Sequence, residues 1–296
     1  MPEGQLLEFS GVTKRFGAVT AVSGLTARVE PGRVTGFLGP NGAGKTTTLR
    51  ILLGLVRATE GRATIGGATY AELERPLQTV GAVLEASSFH PGRTGAAHLK
   101  VYAQAAGLPS SRVDEVLGLV GLSDAAGRKV GGYSLGMRQR LGLAYALLGD
   151  PGVLVLDEPA NGLDPEGIRW IRGFLRELAA EGRTVLVSSH LLSEVQQTVD
   201  RVVIISRGRL VHSGSLAELE TGAGVHLDGP DRPALARALA PAAVAETEDG
   251  LHVTGLTAAE VGAAAHAAGL ALSLLVPERE GLEDVFLELV GEGEPR

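Results

Sequence analysis

The fold of this 296-residue chain is decided by the stretch Gly39-Pro40-Asn41-Gly42-Ala43-Gly44-Lys45-Thr46. It contains a glycine, four further residues and then Gly-Lys-Thr, which is the pattern of a phosphate-binding loop. The apolar run 34–38 before it predicts a buried strand, and residues 47–53 after it predict a helix that ends at Gly54. Such a loop requires this context. The pattern therefore predicts a nucleoside triphosphate site rather than an ordinary glycine-rich turn.

The residue types of this loop suit a polyphosphate. Glycines let the backbone approach phosphate oxygens without an intervening Cβ. The N–H groups that begin the following helix, together with the helix dipole, favour an anion. We expect Lys45 to supply a positive charge to the β- and γ-phosphates, and the Thr46 hydroxyl to ligate Mg²⁺. The predicted nucleotide-binding residues of this segment are Gly39, Asn41, Gly42, Gly44, Lys45, Thr46 and Thr47.

A second candidate group follows the apolar run 153–156, where Asp157 and Glu158 end a predicted strand. In a parallel sheet, functional side chains gather at the carboxyl ends of the strands. An aspartate there suits the shell of a Mg²⁺ ion bound to phosphates. The neighbouring glutamate can act as the base that orients or deprotonates the attacking water. A strand that simply ends in a solvated acidic turn is the alternative, and the phosphate-binding loop makes it the less favoured one.

Between these two groups, Ser134-Leu135-Gly136 opens a predicted amphipathic helix. A serine at the start of a helix, followed closely by a glycine, offers a hydroxyl and backbone N–H groups to an anion. From the residues alone, an ordinary serine cap on the helix is the favoured interpretation.

The composition bounds the class of protein. Apolar residues make up 44% of the chain, enough for a core, and the length allows one large or two modest domains. The net charge of −7 and the lack of a basic run argue against a dedicated nucleic-acid binder. The chain has no cysteine, which excludes disulfides and thiolate metal sites. Neither a signal peptide nor a membrane-spanning stretch is predicted, so a membrane role would require a partner.

The loop, the serine–glycine segment, the acidic strand end and a later lone histidine together resemble the nucleotide-binding subunits of ATP-binding cassette (ABC) transporters. They occur in that family's order and at its spacing, over about residues 5–220. The resemblance implies an ATPase that depends on Mg²⁺, with ATP and Mg²⁺ as its ligands. It also implies a peripheral subunit on the cytoplasmic face of a bacterial cell membrane.

The resemblance assigns roles to residues outside the loop. It implies that Phe16 stacks on adenine, although the residues alone favour a core position at the edge of a strand. It implies that Ser134 and Gly136 contact the γ-phosphate of ATP bound to the opposite subunit. Asp164, in the segment 161–164, would belong to a loop that links the two sites across a dimer.

The resemblance also defines the catalytic and metal-binding sets. His190 follows a predicted strand and is expected to sense the γ-phosphate, although a lone histidine is more often a surface or capping residue. The implied catalytic residues are Lys45, Glu158 and His190, and the implied Mg²⁺ ligands are Thr46, Asp157 and Glu85. Glu85 departs from the family, which usually has a glutamine at this position. Its charge beside a polyphosphate bears on metal preference and on coupling to the membrane partner.

The signature segment departs from the family's usual Leu-Ser-Gly-Gly-Gln. Tyr133 replaces the leucine, Leu135 the first glycine and Met137 the glutamine, while Ser134 and Gly136 are retained. The changed signature segment and Glu85 both resemble departures found in bacterial subunits that export drugs and peptide antibiotics.

The predicted fold class is α/β, a P-loop NTPase of the ABC cassette type. Its core, in residues 5–90 and 150–215, is expected to hold a mostly parallel sheet and an antiparallel β subdomain. A helical subdomain is expected at about 91–148, within a nucleotide-binding domain that covers residues 1–221. The strand and helix pattern of residues 222–296 predicts a small C-terminal α+β accessory domain of the ferredoxin-like type.

The predicted partners follow from an incomplete site, because the signature must come from another chain. We expect a second nucleotide-binding subunit, either a second copy, which is favoured, or a related chain. We also expect a separate multi-span membrane permease, touched by residues 90–105, and no nucleic acid. The favoured function is export of a drug, an antibiotic or a similar compound. A soluble ABC-type ATPase is the alternative, although the chain has no sustained heptad segment and only one phosphate-binding loop.

Overall fold

The chain forms two compact units, Met1–Gly214 and Ser215–Arg296. The predicted domain boundary between residues 221 and 222 falls in a stretch outside the described residues and stays a prediction. The computed structural model describes residues 2–84, 89–216, 218, 224–277 and 282–291.

Strands and helices alternate along much of the chain. The strands are β1 (Leu7–Phe16), β2 (Val19–Val29), β3 (Val34–Leu38), β4 (Glu60–Ile65), β5 (Val80–Val83), β6 (Val153–Asp157), β7 (Thr184–Ser189), β8 (Arg201–Ser206), β9 (Arg209–Ser215), β10 (Val225–Asp228), β11 (Ala243–Thr247), β12 (Gly250–Thr254) and β13 (Leu274–Pro277). The helices are α1 (Lys45–Leu52), α2 (Pro76–Thr79), α3 (Gly95–Ala105), α4 (Ser111–Leu119), α5 (Leu135–Ala146), α6 (Pro165–Ala180), α7 (Leu192–Val195), α8 (Arg232–Ala238), α9 (Ala258–Ala267) and α10 (Leu282–Gly291). None of the helices described is both long and apolar enough to cross a membrane.

A six-stranded sheet in the order β5-β6-β7-β3-β8-β9 forms the centre of the first unit. The pairs β5–β6, β6–β7, β7–β3 and β3–β8 are parallel. β3 and β7 are buried along their whole length, as expected for central strands of a parallel sheet covered on both faces. Register pairs Leu38 with Ser189 and Asp157 with Ser188. The carboxyl ends of β3, β6 and β7 therefore lie side by side. They lead into the phosphate-binding loop, Glu158 and His190, respectively.

A separate antiparallel sheet in the order β2-β1-β4 confirms the predicted β subdomain. The strand-like runs 6–9 and 25–29 predict only short strands. In the structure β1 and β2 are much longer, because they form a hairpin in which Phe16 pairs with Val19. The added residues mix polar with apolar and buried with exposed side chains and form no continuous apolar run. Cross-strand pairing therefore extends the strands where no apolar run marks them.

One carboxylate joins the helical part of the first unit to its central sheet. Asp150 Oδ1 accepts hydrogen bonds from Nη2 of Arg112 on α4, at 3.1 Å, and from Nη2 of Arg183 just before β7, at 3.0 Å. Arg112 also donates to the carbonyls of Leu147 and Leu148, just after α5. Asp150 has a φ of 54°, in the left-handed region. Hydrogen bonds from Arg112 and Arg183 thus hold the segment that follows the signature helix α5 to both α4 and the central sheet.

The second unit is a four-stranded antiparallel sheet in the order β11-β12-β10-β13. Its chain order β-α-β-β-α-β, followed by α10, confirms the ferredoxin-like type. The largely apolar run 270–275 predicts a strand, but β13 begins later, and its pairing with β10 starts at Leu274 and Asp228. Leu270 instead closes the end of α9, where its N–H donates to the Ala265 carbonyl at 2.9 Å.

An aromatic cluster surrounds His98 of α3. The His98 ring contacts Phe89 at 4.9 Å and Tyr102 at 5.0 Å between centroids, and Tyr102 meets Tyr145 of α5 at 4.6 Å. His98 is only 5% exposed. Burial lowers the pKa of His98 below its usual value, and the nearby Arg93 charge lowers it further. The folded chain therefore favours neutral His98.

We expect replacement of His98 to change how stability depends on pH. Below about pH 6.5 the unfolded state binds a proton at His98 that the folded state resists, so the free energy of unfolding of the natural chain falls as pH falls, at most by about 1.4 kcal/mol per pH unit from this group. His98→Phe, which keeps the aromatic contacts, should lose that component. Urea denaturation at about pH 7.5 and 5.5, on either side of this range, measures it. An equal fall in both proteins would contradict the expectation.

Candidate nucleotide-binding site

A cleft of about 480 Å³ lies at the carboxyl edge of the parallel sheet. The loop after β3, the first turn of α1 and the residues after β6 and β7 form it, together with Ala21 of β2. This is where ligands bind in open α/β sheets. The lining residues are Ala21, Asn41, Gly42, Gly44, Lys45, Thr46, Thr47, Glu158, Asn161 and His190.

The backbone of the loop admits no side chain at Gly44. This residue precedes α1 with a φ of 104°, and an added Cβ would lie 2.4 Å from the Ala21 carbonyl oxygen. Gly42, with a φ of 80°, is also in the left-handed region. The loop is therefore pressed against β2. The first N–H groups of α1 have no carbonyl partner within the helix and can bind an anion.

Lys45 places a buried positive charge at the cleft. Its side chain is 6% exposed, and Nζ donates to the Gly39 carbonyl at 2.6 Å. The Oε1 atom of Glu158 lies 3.5 Å from the same nitrogen. A buried charge needs such partners. The ammonium group is thus held where it can meet phosphate oxygens.

Asp157 is the acceptor that joins three segments. Thr46 Oγ1 donates to Asp157 Oδ2 at 2.7 Å, and Ser188 Oγ donates to Asp157 Oδ1 in a short hydrogen bond. The same Ser188 hydroxyl accepts from the Glu158 N–H at 3.0 Å. Ser188 is not among the residues predicted from the sequence. The register that sets it beside Asp157 joins strands about thirty residues apart, and a serine at the end of an apolar run is its one local signal.

Glu158 and His190 form a hydrogen-bonded pair. His190 Nδ1 lies 2.7 Å from Glu158 Oε2, while the other carboxylate oxygen faces Lys45. Glu158 has a φ of 50°, an uncommon conformation for a residue with a side chain. Residues held in this way concentrate at functional sites. The structure thus brings the three implied catalytic residues together in one cleft.

The oxygen donors of Thr46 and Asp157 fit a hard divalent cation that also binds phosphate. They lie within hydrogen-bond distance of each other, where one ion could meet both. Within the described ranges, no group of three or more His, Asp or Glu side chains could hold a metal by itself. A cation here would therefore need phosphate and water oxygens. Glu85, the third implied ligand, lies outside the described residues.

Phe16 is exposed at the end of β1. Its side chain is 51% exposed, so it is not a core residue, and Lys14 Nζ lies 4.7 Å from the centroid of its ring. It does not line the cleft. An exposed aromatic ring of this kind is available for stacking.

The signature residues are not part of the cleft lining of their own chain. Ser134 caps α5, and its hydroxyl accepts from the Met137 N–H at 3.2 Å. Gly136 follows in the first turn of the same helix. Asp164 caps α6 in the same way, accepting from the Gly167 N–H at 2.7 Å. None of these three lines the cleft, although Asn161 of the 161–164 segment does.

Comparisons with known proteins agree with this geometry. Residues 22–161 match the ABC transporter family. The uncharacterized ABC transporter ATP-binding protein YhcH of Bacillus subtilis (strain 168) is 46% identical over 209 residues, which are 70% of this chain and 68% of that protein. The chain belongs to the ABC transporter family. The bacitracin transport ATP-binding protein BcrA of Enterococcus faecalis is 34% identical over 307 residues, 97% of each chain.

The solved structures show the same cassette. The structure of an ATP-binding subunit of an ABC transporter matches with a TM-score of 0.65 and 28% identity, over 73% of this chain and 92% of that one. The predictions of the family, of the fold class and of an ATP-binding, ATP-hydrolysing transporter subunit are confirmed, and the soluble alternative is not favoured. Residues 223–283 match a domain of unknown function (DUF8746).

Loss of the Ser188 hydroxyl should destabilise the fold at this site. Ser188 is fully buried, and Ser188→Ala would leave the Glu158 N–H without its acceptor and one Asp157 oxygen without its donor. We expect the free energy of unfolding to fall by about 1–3 kcal/mol. Urea denaturation measures this, with the exposed Ser10→Ala in β1 as the control. Equal stability of the two variants would contradict the expectation.

Proposed function

We propose that this chain hydrolyses MgATP in a site shared by two subunits and so powers export through a separate membrane permease. One observation carries the chemical part of the proposal. The Glu158 carboxylate lies between Lys45 Nζ, at 3.5 Å, and His190 Nδ1, at 2.7 Å, beside the Thr46–Asp157 pair. The proposed phosphate-binding loop, base and metal-binding pair would thus act together at one cleft.

ATP is proposed to bind with its β- and γ-phosphates on the loop. The first N–H groups of α1 would donate to phosphate oxygens, and Lys45 Nζ would exchange the Gly39 carbonyl for them. Thr46 and Asp157 would hold Mg²⁺, which neutralises charge on the phosphates when bound. Phe16 would stack on the adenine.

Glu158 is proposed as the general base. Its carboxylate would accept a proton from a water molecule as the water oxygen bonds to the γ-phosphorus and the bond to the bridging oxygen of ADP breaks. His190 would hold the carboxylate through Oε2 and contact the γ-phosphate. Lys45 would stabilise the charge that develops on the phosphates.

A second subunit is proposed to complete the site. The N-terminus of α5, with Ser134 and Gly136, presents a hydroxyl and N–H groups, yet it does not line the cleft of its own chain. In a head-to-tail dimer each signature would close over the partner's ATP, and loss of the γ-phosphate would release the pair. A second copy of this chain is the favoured partner.

The proposed cargo is a peptide antibiotic or a similar compound, and the proposed location is the inner face of a bacterial membrane. The similarity to the bacitracin transport protein supports this, because it extends over 97% of both chains and so includes the C-terminal unit. Within the segment 90–105, Val101 and Tyr102 are exposed on α3 and would contact the permease. The domain proposed at 222–296 would serve dimer contact or regulation.

Glu158→Gln should retain ATP binding but slow hydrolysis by about 100-fold or more, because the amide cannot accept the proton of water. The ATP-bound dimer should then accumulate. Phosphate release and size-exclusion chromatography with MgATP measure the two effects, with the exposed Glu177→Gln of α6 as the matched control. Unchanged turnover in Glu158→Gln would remove the base assignment.

Lys45→Ala should weaken ATP binding by about 10- to 100-fold, the loss expected for charge-assisted hydrogen bonds to phosphate. Calorimetric titration with MgATP measures the affinity. The exposed Lys100→Ala on α3 should bind as the natural chain does. Natural affinity in Lys45→Ala would exclude the proposed phosphate site.

A further inference from the structure

A cation–π contact joins the signature helix α5 to the helix α6. The guanidinium carbon of Arg140 lies 4.1 Å from the centroid of the Trp170 ring. Arg140 Nη1 also donates to the Val120 carbonyl, at the end of α4, at 3.3 Å. Trp170 stacks on Phe174 one turn further along α6, with 5.1 Å between centroids and 13° between ring planes. Both members of the pair are therefore held by a second neighbour.

The same two helices approach each other at their N-termini. An added Cβ at Gly162 would lie 2.7 Å from Leu135 Cδ2, and one at Gly136 would lie 3.7 Å from Leu163 Cδ2. The signature residues of α5 thus contact the 161–164 segment that precedes α6. We call this line of contacts, from Leu135 to Trp170, the α5–α6 seam.

The contacts described along the seam are apolar except at Arg140. Leu135 and Leu163 are aliphatic, and Phe174 is buried. The charged contact described along the seam is directional and joins the Arg140 guanidinium group to the face of the Trp170 indole. An arginine stacked on tryptophan is confined in both distance and tilt. The pair can therefore fix the distance between α5 and α6. Aliphatic contacts alone restrict this distance less.

We propose that Arg140 is a positioning residue for the shared ATP site. Through Trp170 it holds the signature end of α5 in a fixed relation to the 161–164 segment, so that both reach the nucleotide of the second subunit together. This inference rests on the proposed function, since it presumes a site completed by a partner. Neither Arg140 nor Trp170 lines the cleft of its own chain.

Arg140→Ala should separate binding from turnover. The affinity of the full-length chain for ATP should stay within about twofold of the natural value, because Lys45 and the loop are untouched. The kcat should fall by about 3- to 30-fold, the range that corresponds to a lost cation–π contact. Arg140→Lys, which retains the cation but not the planar group, should restore part of the loss.

Trp170→Leu tests the same contact from the other side and keeps an apolar side chain against Phe174. It should reproduce the fall in kcat, and the double variant with Arg140→Ala should be no slower than the worse single variant. The exposed Arg176→Ala on α6 is the matched control and should retain the natural kcat. If Arg140→Ala does not fold, Trp170→Leu and Arg140→Lys carry the test alone.

Calorimetry measures ATP affinity and steady-state hydrolysis measures kcat, and together they test the positioning role. A lower kcat at natural affinity, partly rescued by lysine, supports the positioning role. A natural kcat in Trp170→Leu overturns it, as does a double variant whose loss is the product of the two single losses. Failure of the proposed function looks different, because the unmodified chain would then hydrolyse ATP without forming an ATP-dependent dimer, and that result would overturn both.

Discussion

The hydrogen bonds of Asp157 are the constraint on which the site depends. One oxygen accepts from Thr46 in the first turn of α1, and the other accepts from Ser188 at the end of β7. The register of β6 and β7 brings this serine to the carboxylate, and its hydroxyl in turn orients the Glu158 backbone. The phosphate-binding loop, Glu158 and His190 therefore depend on one another through the Asp157 side chain and its neighbours.

Under the proposed function, the cleft supplies the groups that would hold one side of a triphosphate, and a second subunit would cover the other side. Lys45, the N-terminus of α1 and the Thr46–Asp157 pair all approach from the sheet edge. The N-terminus of α5 has the same anion-binding chemistry but does not line the cleft of its own chain. One sequence thus carries two anion-binding groups at different places, one in the cleft and one at the N-terminus of α5. A pair of chains related by symmetry would satisfy both at once.

The parts of the site that could be predicted from sequence are those whose residues lie close along the chain. The loop at 39–46 and the pair Asp157-Glu158 follow apolar strands directly, so local pattern was enough. The contact of Ser188 with Asp157 and that of Arg140 with Trp170 each join residues about thirty positions apart. No sequence motif of fixed spacing indicates either contact. The β1–β2 hairpin extends beyond its short strand-like runs, and this extension could not be predicted for another reason, because the residues at its end, such as Phe16 and Val19, form no continuous apolar run.

Asp150 illustrates how a surface position can be restricted by geometry. Its side chain is 49% exposed, which would ordinarily permit almost any polar residue. Its backbone, however, is left-handed, and its carboxylate serves two arginines from different parts of the unit. Glycine keeps the backbone and loses the acceptor, asparagine keeps the backbone and loses the charge, and glutamate keeps the charge at a cost in conformation. Natural variation at this position should therefore be far narrower than its exposure implies.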